Sequence, residues 1–229
     1  MRAALLVGGN TKPGAPFNAL PKSLLPIAGK PLIEWQMEWL KANGISDIVL
    51  LAGPMHETIM RKAKEIGKKE GVSVYGSVEK APLGTGGALK HAERLLGSGN
   101  FVLMNGDVIT NLSIGKMHIV NNVATIALVP LRSSYGIVEQ KSGIIIGFKE
   151  KPVIKEYWIN AGVYLASTDI FDYLPTKGDL EKTVFAELSW KGLLKGTKYE
   201  SVYWRSLDTR NDIENASKDL KKIRITNIH

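Results

Sequence analysis

Cysteine is absent from all 229 residues, which excludes disulfides, thiol catalysis and a cysteine-based zinc site. Histidine is scarce. His56, His91, His118 and His229 fall in helix-like or terminal segments without a partner, so a histidine-driven covalent mechanism is not expected. No apolar run approaches the roughly 20 residues that a membrane-spanning helix needs. No N-terminal apolar stretch leads to a small-residue cleavage site, and a cytoplasmic location is the expectation that remains. Linkers, internal repeats and low-complexity segments are also lacking, so residues 1–229 read as a single domain.

The apolar fraction is 44% and the charges are mixed, as in soluble globular proteins, and the length suffices for a full core. The net charge is +8. Its densest groups, at 61–64, 68–69 and 218–224, read as solvated helix faces. None is interleaved with exposed aromatics as a strand-binding platform would be, so small anionic substrates are expected rather than nucleic acid.

Strand and helix patterns alternate over the first half. Strands are expected at 3–7, 48–51, 72–75 and 101–104, and helices at 31–43, 54–66 and 85–96. Trp35 and Trp39 share a helix face with Leu32 and Leu40 and read as core. This alternation predicts an α/β fold, a parallel sheet with helices on both faces, which binds ligands at the carboxyl ends of its strands. The second half reads as an added antiparallel section, with strands at 123–129, 135–140, 143–148 and 158–165 and a hairpin turn at 141–143. Helices follow at 180–191 and 211–221.

Chemistry concentrates in the loops that follow strands. Gly8 and Gly9 let the backbone turn sharply near a ligand, and Lys12 and Lys22 in the same loop suit a polyphosphate. The stretch Glu79 to Ala88 is a second glycine-rich loop, in which Gly84, Gly86 and Gly87 suit close approach to a base or sugar. A carboxylate such as Glu79 can pair the two adjacent donors of guanine, whereas uracil and thymine suit an amide better. Asp107, closing Asn105-Gly106-Asp107, is placed for Mg²⁺ on phosphates. Lys151, in Glu150-Lys151-Pro152, is placed for a second phosphate. Asn160, inside an apolar strand, needs a polar partner, either a ligand hydroxyl or neighbouring backbone.

In order, Gly8-Gly9, Pro21-Lys22, the 82–87 loop, Asn105-Gly106-Asp107, Glu150-Lys151-Pro152 and Asn160-Ala161-Gly162 resemble the motifs of the sugar-phosphate nucleotidyltransferases, above all the mannose- and heptose-1-phosphate guanylyltransferases. The resemblance spans nearly the whole chain. It implies a Rossmann-like, mostly parallel mixed sheet with a small antiparallel sugar-binding lobe, residues 1–122 serving the nucleotide and 123–229 the sugar. The implied reaction is NTP plus sugar 1-phosphate giving NDP-sugar and pyrophosphate, with Mg²⁺ as cofactor, without nucleic acid or membrane. A homo-oligomer is left open.

Carried over by position, Gly8, Gly9 and Thr11 line the nucleotide, Lys12 replaces the arginine that grips the triphosphate, and Lys22 sits beside the reacting α-phosphorus. Glu79, Gly84 and Thr85 meet the nucleotide, and Asp107 binds the metal. Gly136, Glu150, Asn160 and Glu181 contact sugar hydroxyls, and Lys151 holds the sugar phosphate. Such chains often continue into a left-handed β-helix, for which the sequence up to His229 has no room.

The chain departs from the family pattern twice. Its first loop, Gly8-Gly9-Asn10-Thr11-Lys12, is one residue shorter than the usual Gly-Gly-x-Gly-Thr-Arg. Ser206 stands where the family has a late metal aspartate, with Asp208 two residues on. In an extended segment those two share a face, so Asp208 is a substitute ligand, or alternatively the cap of the helix that starts near Arg210. Three readings follow: a GTP-dependent transferase, a UTP- or TTP-dependent one, and a catalytically weakened homologue that binds sugar nucleotide and regulates a partner.

Overall fold

The computed structural model describes residues 1–8, 20–53 and 55–226. In chain order the strands are β1 (Arg2–Leu6), β2 (Pro26–Ile27), β3 (Lys30–Pro31), β4 (Asp47–Ala52), β5 (Ser73–Val78), β6 (Asn100–Asn105), β7 (Val108–Thr110), β8 (Ala124–Arg132), β9 (Ile137–Lys141), β10 (Ile144–Lys149), β11 (Val153–Ser167), β12 (Leu194–Lys198) and β13 (Trp204–Ser206). The α-helices are α1 (Leu32–Ala42), α2 (His56–Glu70), α3 (Gly84–His91), α4 (Glu93–Leu96), α5 (Ala186–Trp190) and α6 (Arg210–Asp219).

Seven strands form the central sheet in the order β12-β8-β11-β6-β1-β4-β5. The four strands expected from the first half, β1, β4, β5 and β6, run parallel as predicted, with Leu5 level with both Leu50 and Met104. β11 enters antiparallel to both β6 and β8, and β12 returns parallel to β8. The second half therefore extends the same sheet. The hairpin β9–β10 stands apart from it as a separate two-stranded unit, and β13 pairs with β7 in another. Its turn falls where expected: Ser142 and Gly143 both have positive φ (48° and 83°), as a two-residue turn matching the strand twist requires.

Alternation along each strand divides the core into two layers. Ala3, Leu5 and Val7 pack with Ile48, Leu50 and the buried faces of α1 and α2. Ala4, Val49 and Leu51 point the other way, towards Leu89, Leu96, Phe171 and Leu188. Leu32, Ile33, Met37, Trp39 and Leu40 of α1 are fully buried, each contributing about 1.5–3 kcal/mol of apolar burial. Trp39 and Trp35 are core residues, as expected. Their indole N–H groups donate to the carbonyls of Leu112 (3.0 Å) and Ile27 (2.8 Å), so neither is left unmet in the interior.

Two helices differ from the sequence pattern. The segment at 85–96 breaks at Ala92 into α3 and α4. The segment at 180–191 opens as a π-helical stretch, Leu180–Phe185, before α5. Its wider turn places Leu180, Val184 and Phe185 together in the core, Phe185 lying 5.0 Å from the Tyr164 ring. Among the described residues no helix is long and apolar enough to cross a membrane.

Candidate active site

The carboxyl ends of the parallel strands meet at a cavity of about 340 Å³ lined by Gly8, Glu79, Gly84, Thr85, Asn105, Gly106 and Asp107 among others. All seven were singled out from the sequence as ligand-facing or as part of Asn105-Gly106-Asp107. Backbone crowding explains the residue types at the strand ends. A Cβ on Gly8 would lie 2.9 Å from the Gly53 nitrogen, and one on Gly53 would lie 3.0 Å from a Glu79 oxygen. Gly106 is more constrained still, since its Cβ would fall 1.9 Å from the Leu6 carbonyl oxygen. The Glu79 carboxylate sits between Gly8 and Gly53 and accepts from the Leu83 amide at 3.1 Å, which shapes the second loop.

Beside this cavity three charged groups converge. The Lys22 ammonium donates to Asp107 Oδ2 at 2.9 Å and to Asp208 Oδ1 at 3.2 Å. β13 pairs antiparallel with β7, Ser206 level with Val108, and this register brings Asp208 to Asp107. Ser206 Oγ donates to Asp208 Oδ2 at 2.8 Å. The alternative role of Asp208 as a helix cap is not what the structure shows. Thr209 caps α6, in a reciprocal capping box with Asp212. A pair of carboxylates from distant segments is thus already gathered around one cation.

The second loop carries a different lesson. The Gly86 and Gly87 amides are engaged by the Gly178 carbonyl at 2.9 and 3.3 Å, and a Cβ on Gly87 would meet the Thr176 oxygen at 2.7 Å. Gly84 has φ +77°, and a Cβ there would lie 2.5 Å from the Gly178 oxygen. These glycines therefore admit the backbone at 176–178, and of the three only Gly84 also lines the cavity.

That contact joins the two halves. Thr85 Oγ1 donates to Glu181 Oε2 (3.1 Å), Tyr164 OH lies 3.5 Å from Glu181 Oε1, and Asn160 Nδ2 donates to Tyr164 OH at 2.8 Å. Asn160 Oδ1 accepts from the Gly162 amide at 2.8 Å, so its partners are protein groups. Burial, reinforced by the Glu181 carboxylate, pushes the Tyr164 hydroxyl well above its ordinary pKa and keeps it a neutral donor.

Gly136, Glu150 and Lys151 cluster at the root of the β9–β10 hairpin and do not line this cavity. A Cβ on Gly136 would lie 2.7 Å from the Phe148 ring and 3.0 Å from Glu150 Oε2, while Lys151 has φ +44° and is exposed. Gly9, Thr11 and Lys12 lie outside the described residues. A separate acidic trio, Glu34, Glu38 and Glu70, is engaged by Lys69, Lys30 and Lys41 in an ion-pair network.

Sequence reasoning did not single out Gly53, Gln36, Tyr164 or Gly178. Gly53 carried a usable signal, a glycine directly after a strand pattern as at Gly8. Gln36 carried another, a polar residue in the apolar stripe Ile33, Met37 and Leu40. Tyr164 and Gly178 carried none, because their roles arise from contacts distant in sequence.

A family model described as nucleotidyl transferase matches residues 3–222. A mannose-1-phosphate guanyltransferase of Yarrowia lipolytica is 35% identical over 93% of this chain, which spans 62% of that protein's length. A D-glycero-alpha-D-manno-heptose 1-phosphate guanylyltransferase of Aneurinibacillus thermoaerophilus is 37% identical over 75% of this chain and 77% of its own. Among solved structures, HddC from Yersinia pseudotuberculosis complexed with GMP-PN superposes with a TM-score of 0.73 at 24% identity, covering 96% of this chain and 99% of that one, a likeness of fold.

Proposed function

The chain belongs to the nucleotidyl transferase family, and from that premise we propose that it transfers a guanylyl group from GTP to a sugar 1-phosphate, releasing pyrophosphate. The observation that carries the proposal is the Lys22 ammonium held between Asp107 and Asp208 beside a cavity at the carboxyl edge of the sheet. Such edges are where open α/β sheets bind ligands.

In this reaction an oxygen of the sugar 1-phosphate forms a bond to the α-phosphorus of GTP. The bond from that phosphorus to the oxygen bridging the β-phosphate breaks, and pyrophosphate leaves with the electron pair. Neither a nucleophilic side chain nor a general base is needed, because the attacking phosphate is already an anion. The chain's work is positioning and charge neutralisation. Lys22 can exchange its carboxylate partners for phosphate oxygens by rotating its own side chain. Glu79, lining the cavity, offers acceptors to the two adjacent donors of guanine. Thr85, Glu181, Tyr164 and Asn160 tie the nucleotide side to the sugar side, and Lys151 holds the sugar phosphate at the hairpin root.

Enzymes of this family generally use a divalent metal, and the residues present fit one. Asp107 and Asp208 already hold a cation between them, and hard oxygen donors suit Mg²⁺. With the Ser206 hydroxyl they would hold the ion, which when bound neutralises charge on the phosphate oxygens. The proposal takes Mg²⁺ as that ion, the cytoplasm as the setting, residues 1–122 as the nucleotide half and 123–229 as the sugar half of one domain.

The test is pyrophosphate release with each NTP, Mg²⁺ and a panel of hexose and heptose 1-phosphates. The expected result is turnover that prefers GTP. Preference for UTP or TTP would refute the role given to Glu79. No release with any pair, alongside measurable GDP-sugar binding, would overturn catalysis in favour of a regulatory homologue.

A further inference from the structure

Asp107 is carried on the short turn between β6 and β7, and one buried side chain grips both ends of that turn. Gln36, in α1 and 1% exposed, donates from Nε2 to the carbonyl of Asn105 at 3.2 Å and to that of Val108 at 2.9 Å. These residues stand immediately before and after Gly106-Asp107. The turn is confined elsewhere too. Gly106 lies against the Leu6 carbonyl, and the Asp107 carbonyl accepts from the Leu207 amide at 2.9 Å. The backbone of the turn is thus held from α1, from β1 and from the segment after β13, while its carboxylate reaches out to Lys22.

The amide at this position carries a cost. Among the described residues Gln36 Oε1 is buried without a hydrogen-bond partner, an arrangement that costs free energy and that an apolar side chain of the same length would avoid. Ile33, Met37 and Leu40, buried on the same stripe of α1, are apolar. The cost is met where a single amide can fix the two carbonyls flanking Asp107.

We infer that Gln36 is a positioning residue: it sets the placement of the Asp107 carboxylate, and through it the affinity of the divalent-cation site. The inference rests on the assignment of Asp107 as a metal ligand made above. Gln36 touches neither substrate nor metal. It acts through the backbone, as the outer partners of metal ligands do, whose loss typically lowers metal affinity or activity about 10- to 100-fold.

The test is direct Mn²⁺ binding followed by electron paramagnetic resonance, with and without GTP, in the wild type, Gln36→Met, Gln36→Asn and Asp107→Asn. Pyrophosphate release and thermal melting are measured on the same samples. Gln36→Met keeps length and removes the donor. Gln36→Asn keeps the amide but cannot span both carbonyls, and serves should the first not fold. Each is expected to weaken Mn²⁺ binding about 10- to 100-fold, with metal-free GTP binding unchanged. Ile33→Val, a buried change in the same helix, is expected to leave Mn²⁺ affinity as it was. Wild-type Mn²⁺ affinity in both Gln36 variants would overturn the inference, as would equal weakening in Ile33→Val or no Mn²⁺ binding by the wild type. A wild type that binds Mn²⁺ through Asp107 but releases no pyrophosphate would defeat the transferase reading alone, and weakened binding in the Gln36 variants would still support the positioning role.

Discussion

Asp208→Asn separates a metal ligand from a mere partner of Lys22. The substitution removes one negative charge and keeps the shape. The Asp208 side chain is 65% exposed and its contact with Lys22 is 3.2 Å long. Solvent screening limits such a pair to about 0–1 kcal/mol, so the melting temperature should scarcely move. A divalent cation is affected more strongly. Unit charges about 4 Å apart attract by about 1 kcal/mol in water, a double charge by about 2 kcal/mol, and each 1.4 kcal/mol is about tenfold in affinity. The half-saturating Mg²⁺ concentration for pyrophosphate release should therefore rise about thirtyfold. Asp107, whose side chain is 31% exposed, should show a larger rise when changed to Asn. The assay is a Mg²⁺ titration at saturating GTP and sugar 1-phosphate, with a melting curve for each variant. An unchanged Mg²⁺ requirement in Asp208→Asn, beside a raised one in Asp107→Asn, would refute the reasoning and leave Asp208 as an ion-pair partner only.

Two further outcomes follow from the packing. Gly106→Ala would set its Cβ 1.9 Å from the Leu6 carbonyl oxygen, so backbone must shift. A cost of about 3 kcal/mol, at roughly 2–4 °C per kcal/mol for a chain of this size, predicts a clear fall in melting temperature by calorimetry, and an unchanged midpoint would contradict the geometry. At alkaline pH, burial raises the hydroxyls of Tyr164, Tyr199 and Tyr203, the last to about 12. Because the folded values lie above the ordinary tyrosine value of about 10, the stability linked to these protons is complete below about pH 10 and is lost as pH rises towards the folded values. Melting temperature should fall between about pH 10 and 12, less steeply in Tyr203→Phe, and an identical slope in that variant would exclude Tyr203 as a contributor.

Much of this architecture was legible because local patterns encode it. The alternation of short apolar runs with helical stripes marked β1, β4, β5 and β6 as parallel strands. Gly8, Gly84 and Asp107 follow strands, so their gathering at one sheet edge was predictable from topology. The hairpin at Ser142-Gly143 was legible from its turn residues. The second half was less so, because β8, β11 and β12 join the main sheet through pairings between distant segments, and a strand pattern says nothing of which edge it finds. The π-helical opening at Leu180–Phe185 was hidden for a similar reason. Its wider turn serves burial against Tyr164, not a local propensity.

The candidate site divides in the same way. Residue types at Lys22, Glu79, Asp107 and the glycine loops pointed to a phosphate-and-metal chemistry without any coordinates, because the motifs, each weak alone, occur in the order of the family they resemble. Whether Asp208 was a ligand or a cap stayed open in the sequence, where both readings satisfied its spacing. The cap of α6 is Thr209, and the register of β13 on β7 brings together carboxylates 85 and 186 residues from Lys22, the arrangement on which the proposed ligand role rests. The sequence by itself determined the class of fold and the kind of chemistry, because periodicity and loop composition are local properties. Only the tertiary structure decided which side chains share a cation, why Gly86 and Gly87 are glycine, and which buried amide holds Asp107, because each depends on atoms brought together by long-range pairing.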